Sequence, residues 1–255
     1  MKWSAAFLAA VRFLTCIPTP GSTVDSARFR EDMARGLYFF PLVGAAIGAA
    51  AAIVLVLADL VLPFFLAAIA ALAVELRLTG ALHEDGVADF CDAFGGGRTR
   101  EETLRILKDS RIGSFGTVGL VAALALRAGG LIAVADPAKA AIVLAVSGAV
   151  GRALAVAVMA LVPPAPGHDG LAKEAGASVR WASAACGLLL VSPLLAWGVA
   201  VHWKAMAAGL AVCVVFVVWF RALLLRRLGG VTGDCLGFAA YFGIVAMTVS
   251  FALDV

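Results

Sequence analysis

The chain has 255 residues, 63% of them hydrophobic and only 15% charged, and carries a formal net charge of +3. Its mean hydropathy is +1.01. Soluble domains run near half apolar and a quarter charged, so this balance excludes an ordinary soluble protein. A small positive charge without a Lys/Arg block gives nucleic acid no footing as a partner.

Apolar stretches about as long as a bilayer core recur along the chain, and the alternating ten-residue pattern of an outer-membrane barrel is absent. The expected fold is therefore all-α: a polytopic bundle of helices, one membrane domain over 1–255, in contact with the lipid bilayer. The five cysteines are scattered, without a CxxC pair, and read as free thiols. Residues 3–16 form a helix too short to span, expected in the interface and ended by Ile17-Pro18-Thr19-Pro20-Gly21. A polar link with Arg28, Arg30, Glu31, Asp32 and Arg35 completes this segment, 1–36.

Seven spans are expected, at about 37–60, 63–79, 115–135, 138–162, 181–201, 205–225 and 236–253. The first holds Gly44-x-x-x-Gly48, a close-packing signal for helix pairs. Between the second and third lies a polar segment, 80–114, in which Thr99-Arg100-Glu101-Glu102 is a capping box that predicts a helix from 100 to about 109. Asp136-Pro137 turns into the fourth span, and Pro163-Pro164-Ala165-Pro166-Gly167 ends it.

Seven spans put the N-terminal segment and the loops at 80–114, 163–180 and 226–235 on one side. Fifteen of the 20 Lys and Arg fall there. Lys139 and Lys204 fall on the other side, and Arg127, Arg152 and Arg221 lie within spans. That bias predicts that the first side is cytoplasmic, so every polar motif faces one compartment and they can share a site.

Three motifs carry the chemistry. In His83-Glu84-Asp85-Gly86-Val87-Ala88-Asp89-Phe90-Cys91-Asp92, the carboxylates of Asp85, Asp89 and Asp92 are spaced i, i+4, i+7. On a helix that spacing puts all three on one face, and an oxygen-rich face suits Mg²⁺, Mn²⁺ or Ca²⁺. His83 beside them is a candidate base, phosphate contact or proton shuttle. Glu84 points off the stripe, and Gly86 would admit a close backbone or ligand. In Lys108-Asp109-Ser110-Arg111-Ile112-Gly113-Ser114-Phe115-Gly116, cations, hydroxyls and small residues precede a helix, as an anion site does. The turn Gly229-Gly230-Val231-Thr232-Gly233-Asp234 has the composition of a phosphate- or metal-cradling loop. Arg127, Arg152 and the Glu75/Arg77 pair, costly in lipid, are expected to face the bundle interior and to line a pocket for an anionic substrate, whereas Arg221 is expected to snorkel to the interface.

At these residues the chain resembles the cobalamin (5′-phosphate) synthase family, also called adenosylcobinamide-GDP ribazoletransferases. The resemblance is carried by Thr79 to Asp92, by Leu107 to Gly116, by Leu228 to Gly237, by Arg12-Phe13-Leu14-Thr15-Cys16-Ile17-Pro18-Thr19-Pro20 and by Phe40-Pro41-Leu42-Val43-Gly44. The chain departs from the family pattern at Pro164–Leu171, where an Arg is missing, and at Phe238, where the family tends to have Ala.

The resemblance implies an inner-membrane enzyme whose site faces the cytoplasm. It would join adenosylcobinamide-GDP to α-ribazole, or its 5′-phosphate, and release GMP. It also implies Mg²⁺ as cofactor, held by Asp85, Asp89 and Asp92 with Asp109 and Asp234 as further ligands. Phosphate would be bound by Lys108, Ser110 and Arg111 and by Gly229, Gly230, Thr232 and Gly233. His83 or one of Asp85, Asp89 and Asp92 would accept the proton. A second copy of the chain, or other enzymes of the cobalamin pathway, are the expected protein partners. Two rivals are weighed against this. One is a CDP-alcohol phosphotransferase, whose Asp-x-x-Asp-Gly-x-x-Ala-Arg order is not met. The other is a transporter, which the clustering of acids on one side disfavours.

Overall fold

A computed structural model of the chain describes residues 3–19, 26–166 and 181–253. The expected loop contacts of His168 to Leu171, and the charges of Lys2, Lys173 and Arg180, lie outside the described residues, as do the side chains of Arg28 and Arg30. Among the described residues the fold is helical, with one isolated bridge between Pro164 and Val231.

Eleven described helices follow in order: α1 (Trp3–Leu14), α2 (Ser26–Gly36), α3 (Phe40–Asp59), α4 (Phe64–Thr79), α5 (Leu82–Gly96), α6 (Arg100–Ile106), α7 (Ser114–Val134), α8 (Pro137–Leu161), α9 (Trp181–Leu190), α10 (Ser192–Arg227) and α11 (Gly233–Ala252). A 3₁₀ turn at Leu37–Phe39 joins α2 to α3. The polar link of the sequence reading is thus partly a helix. Met33, Leu37 and Phe40, at i, i+4 and i+7, are all buried, and that apolar stripe holds the segment to the bundle despite its charges.

Among the described residues, five helical stretches are long and apolar enough to cross a membrane, and six if the bent pair α4–α5 is one crossing, against the seven spans expected. Two local breaks cause the difference. After α4 the backbone turns through two left-handed residues, Gly80 (φ 63°) and Ala81 (φ 57°), and α5 leaves at 86° to α4. The apolar α4 belongs to the bilayer, while α5, carrying Glu84, Asp85, Asp89 and Asp92, turns out along the end of the bundle. The fifth expected span is α9 with the first limb of α10 and the sixth is the second limb of α10, whose backbone breaks between them at His202 (φ −137°, ψ 52°). A β-carbon on Gly198 would stand 3.3 Å from Met206 Sδ. Residues eight apart in an unbroken helix stand about 12 Å apart along its axis, so the two limbs fold back on one another at His202.

α8 is the centre of the bundle and is buried along most of its length. α3 runs antiparallel to it: a β-carbon on Gly44 would lie 2.2 Å from Gly148 O, and one on Gly48 would lie 2.1 Å from Leu144 O. The Gly44-x-x-x-Gly48 motif is thus a packing face, as expected of small residues between membrane helices. Outward-facing Ile53, Leu57, Val118, Val121, Val214, Val215 and Val218 are exposed in the isolated chain and form the surface a bilayer would cover.

Turns near 59–63, 134–137 and 202 lie at one end of the bundle, where His202 packs against Phe251 (5.4 Å between rings). The N-termini of α3, α7 and α11 and the C-terminus of α8 lie at the other end. The chain path therefore gathers the three polar motifs at a single end, as the charge distribution predicts.

Candidate active site

The crossing of α5 over the first turns of α11 builds the site. Gly86 and Gly237 meet there: a β-carbon on Gly86 would come within 3.0 Å of both Asp234 O and Gly237 Cα. The close approach expected of Gly86 is therefore to backbone. It brings Asp85 and Asp234 to one cavity of about 260 Å³, also lined by His83, Gly233 and Arg152. Thr232 caps α11 by accepting from Cys235 N at 3.4 Å, which fixes Asp234 in the first helical turn.

The cavity has two chemically distinct walls. His83, Asp85, Asp234 and Arg152 form a polar wall. Phe13 and Leu14 from α1, Phe40 from α3, and Ala155, Val156 and Met159 from α8 form an apolar one. Residues 3–16 therefore contribute to the cavity and are not merely an interfacial anchor. Cys16 N donates to Leu78 O at 2.7 Å and ties the end of α1 to the end of α4.

The three stripe carboxylates diverge in role. Asp85 is exposed at the cavity. Asp89, on α5 outside the crossing segments, is half-buried, and burial together with the carboxylates of Asp85, Asp234 and Asp92 pushes its pKa up to about 6. Asp92 turns to the N-terminus of α7, where one oxygen accepts from Gly113 N at 2.6 Å and the other from Gly116 N at 2.8 Å. A helix N-terminus supplies unpaired N–H groups and favours a negative charge, so Asp92 is a cap supplied by a neighbouring helix. Among the described residues, no three His, Cys, Asp or Glu side chains are grouped to hold a metal by themselves.

The second motif stands apart from the cavity. Lys108, Ser110 and Arg111 are exposed on the loop between α6 and α7. Both oxygens of Asp109 are engaged by Arg111 Nε (3.0 Å) and Nη2 (2.7 Å), which holds the Asp109 carboxyl down at about 2. Asp109 and Arg111 therefore pair with each other, apart from the cavity.

The third motif divides. Val231 N donates to Pro163 O at 2.9 Å and Ala165 N to Val231 O at 3.0 Å, so Gly230 packs against the 163–165 segment. Gly229 is a turn residue (φ 71°) and Thr232 a helix cap. Gly233, with open space above it, and Asp234 reach the cavity. α6 supports this turn from outside. Its Thr99–Glu102 capping box forms as expected, and Arg100 donates to Leu228 O at 2.9 Å and to Pro166 O at 2.8 Å.

Beneath the cavity lies a buried ionic cluster. Arg127 bonds Glu75 directly and stands 3.6 Å from Glu84, and Arg152 stands 3.9 Å from Glu75. Glu84 is therefore buried in this cluster. Phe238 stacks on Phe90 at 3.9 Å in an aromatic group with Phe94, Phe216 and Phe220, which packs α5 on α10 and α11. The ring of Phe238, where the sequence reading expects a departure from the resembled pattern, is accommodated here by stacking.

Comparison with known proteins bears on this site. A family model described as cobalamin-5-phosphate synthase matches residues 6–252. A protein of Azorhizobium caulinodans named adenosylcobinamide-GDP ribazoletransferase is 42% identical over 193 residues, 73% of either chain. One of the same name from Leptothrix cholodnii is 39% identical over 205 residues, 76% of this chain and 74% of that one. Another from Bradyrhizobium diazoefficiens is 42% identical over 171 residues, 66% of this chain and 64% of that one. No solved structure is detectably similar to the chain.

Proposed function

The chain belongs to the cobalamin-5-phosphate synthase family, and on that premise we propose that it joins adenosylcobinamide-GDP to α-ribazole or its 5′-phosphate, the final assembly step of cobalamin. The observation that carries this reading is the meeting of Asp85 and Asp234, from two different helices, with His83 in one cavity. Carboxylates that crowd one another suit a reaction in which pyrophosphate charge must be met by a cation, and a buried imidazole beside them suits proton transfer.

In the proposed transfer, a ribose hydroxyl oxygen forms a bond to the cobinamide-side phosphorus and the bond from that phosphorus to the GMP oxygen breaks. The hydroxyl proton passes to His83 or to the carboxylate of Asp85 or Asp89, and GMP leaves with the bonding electrons. The apolar wall of Phe13, Phe40 and Met159 excludes water and seats the apolar part of a substrate. One or two of Asp85 and Asp89 on α5 and Asp234 on α11 would hold Mg²⁺. This cation takes one or two carboxylates and completes its shell with water and phosphate oxygens, a habit that fits a donor set without three grouped ligands. When bound, it neutralises the pyrophosphate and the departing GMP. The concentration of Lys and Arg at the site end of the bundle supports an inner-membrane orientation with that end in the cytoplasm.

The test is GMP release by the purified protein in liposomes, with adenosylcobinamide-GDP or a CDP-activated donor, with Mg²⁺ or EDTA. We expect release that requires the GDP donor, a ribazole acceptor and Mg²⁺, and a drop of at least about a hundredfold in Asp85→Asn and Asp234→Asn, the scale of losing an electrostatic catalytic contact. Full activity in both variants, or turnover of the CDP donor alone, would overturn the reading.

A further inference from the structure

Arg152 sits in the middle of α8 with 1% of its surface exposed, yet it forms part of the cavity wall beside His83, Asp85 and Asp234. It is the one Lys or Arg among the described residues lining that cavity. Its nearest acid is Glu75, at 3.9 Å from Nη1, a charge contact beyond hydrogen-bond reach. Glu75 is engaged directly by Arg127, so Arg152 Nε and Nη1 have no hydrogen-bond partner. A guanidinium is a donor-only fork, and buried donors without acceptors are costly. The side chain is also held in place: a β-carbon on Gly44 would stand 2.8 Å from Arg152 Cδ, so α3 forms a close wall along its stem. Arg111, the other candidate, is exposed and engaged by Asp109.

We propose that Arg152 is the anion subsite of this cavity, its guanidinium donating to oxygens of a substrate phosphate. This rests on the reading of the cavity as the transfer site. The ligand class is a phosphate oxyanion, whose geometry the guanidinium fork matches. Two substrate groups share that chemistry: the pyrophosphate of the donor and the 5′-phosphate of a phosphorylated acceptor.

The test uses the purified full chain and its Arg152→Lys and Arg152→Gln variants. Inorganic pyrophosphate binding is measured by calorimetry, and KM is measured for the donor and for each acceptor. We expect pyrophosphate to bind the wild type and to weaken about tenfold to a hundredfold in Arg152→Gln, with a smaller loss in Arg152→Lys, from the value of a hydrogen bond to a charged group. A KM increase confined to the 5′-phosphorylated acceptor assigns Arg152 to the acceptor. An increase for the donor with either acceptor assigns it to the donor's pyrophosphate.

Wild-type affinity and KM in both variants, or no pyrophosphate binding by the wild type, overturns the proposal. If Arg152→Gln does not fold, Arg152→Lys decides: it keeps the charge beside Glu75 but lacks the guanidinium fork, and unchanged binding there is equally fatal. Pyrophosphate binding is read without turnover, so failure here is distinguishable from a wild type that does not release GMP.

Discussion

Asp92 separates two roles that helical spacing alone leaves merged. Its spacing from Asp85 and Asp89 places it on the acidic stripe, but one turn of helix carries it to the backbone N–H groups of Gly113 and Gly116. The glycines make that contact possible, since a β-carbon on Gly116 would lie 2.2 Å from Asp92 Oδ2. Removing the carboxylate should behave as the loss of a helix cap, costing about 1–2 kcal/mol of stability. Asp92→Ala is therefore expected to lower the unfolding midpoint while leaving the Mg²⁺ concentration for half-maximal GMP release unchanged. A shifted Mg²⁺ dependence with intact stability would instead place Asp92 at the cation. Asp85 and Asp89 were legible as an acidic pair from the sequence. That Asp234 joins them was expected from the resemblance and from the shared side of the motifs, but the contact that brings it there was not, because it depends on a Gly86–Gly237 crossing between helices well over a hundred residues apart in the chain.

At the scale of elements, long apolar helices, their caps and the positions of the breaks were readable, and the geometry of the breaks was not. The Thr99 capping box and the Asp136-Pro137 start of α8 are local signals, and both form as expected. The bends at Gly80-Ala81 and His202 fall at the expected span ends, but the 86° turn into α5 depends on two left-handed residues, one of them a non-glycine, that composition does not announce. The α3–α8 pair offers a test at this scale. Gly44 and Gly48 both sit on carbonyls of α8, so an added methyl in either overpacks the contact and should cost about 1–3 kcal/mol in an unfolding titration. Only Gly44 also touches Arg152. Gly44→Ala is thus expected to raise the KM for the phosphate-bearing substrate in addition, whereas Gly48→Ala should change stability alone. Equal KM increases in both variants would show a general effect of helix separation.

For the molecule as a whole, the polar cluster and the charge bias describe one asymmetry. Glu75, Arg127, Glu84 and Arg152 clamp α4, α5, α7 and α8 together beneath the cavity, so the acidic stripe cannot move independently of the spans that carry those arginines. Breaking such a buried pair by removing one partner is costly, which makes the cluster a rigid floor. The same end of the bundle carries the α6–α7 loop with exposed Lys108, while Ala138 is exposed beside the α7–α8 turn at the opposite end. If the charge distribution sets orientation, Lys108 faces the cytoplasm and Ala138 the far side. Both positions are accessible enough for labelling. In a protein whose five native cysteines are replaced, Lys108→Cys should react with a membrane-impermeant maleimide in inverted vesicles and not in intact cells. Ala138→Cys should show the reverse. Labelling of both from one side would contradict the path of α7 through the bilayer, and a swapped pattern would place the Asp85–Asp234 cavity outside the cytoplasm, away from any cytoplasmic supply of a nucleotide-activated substrate.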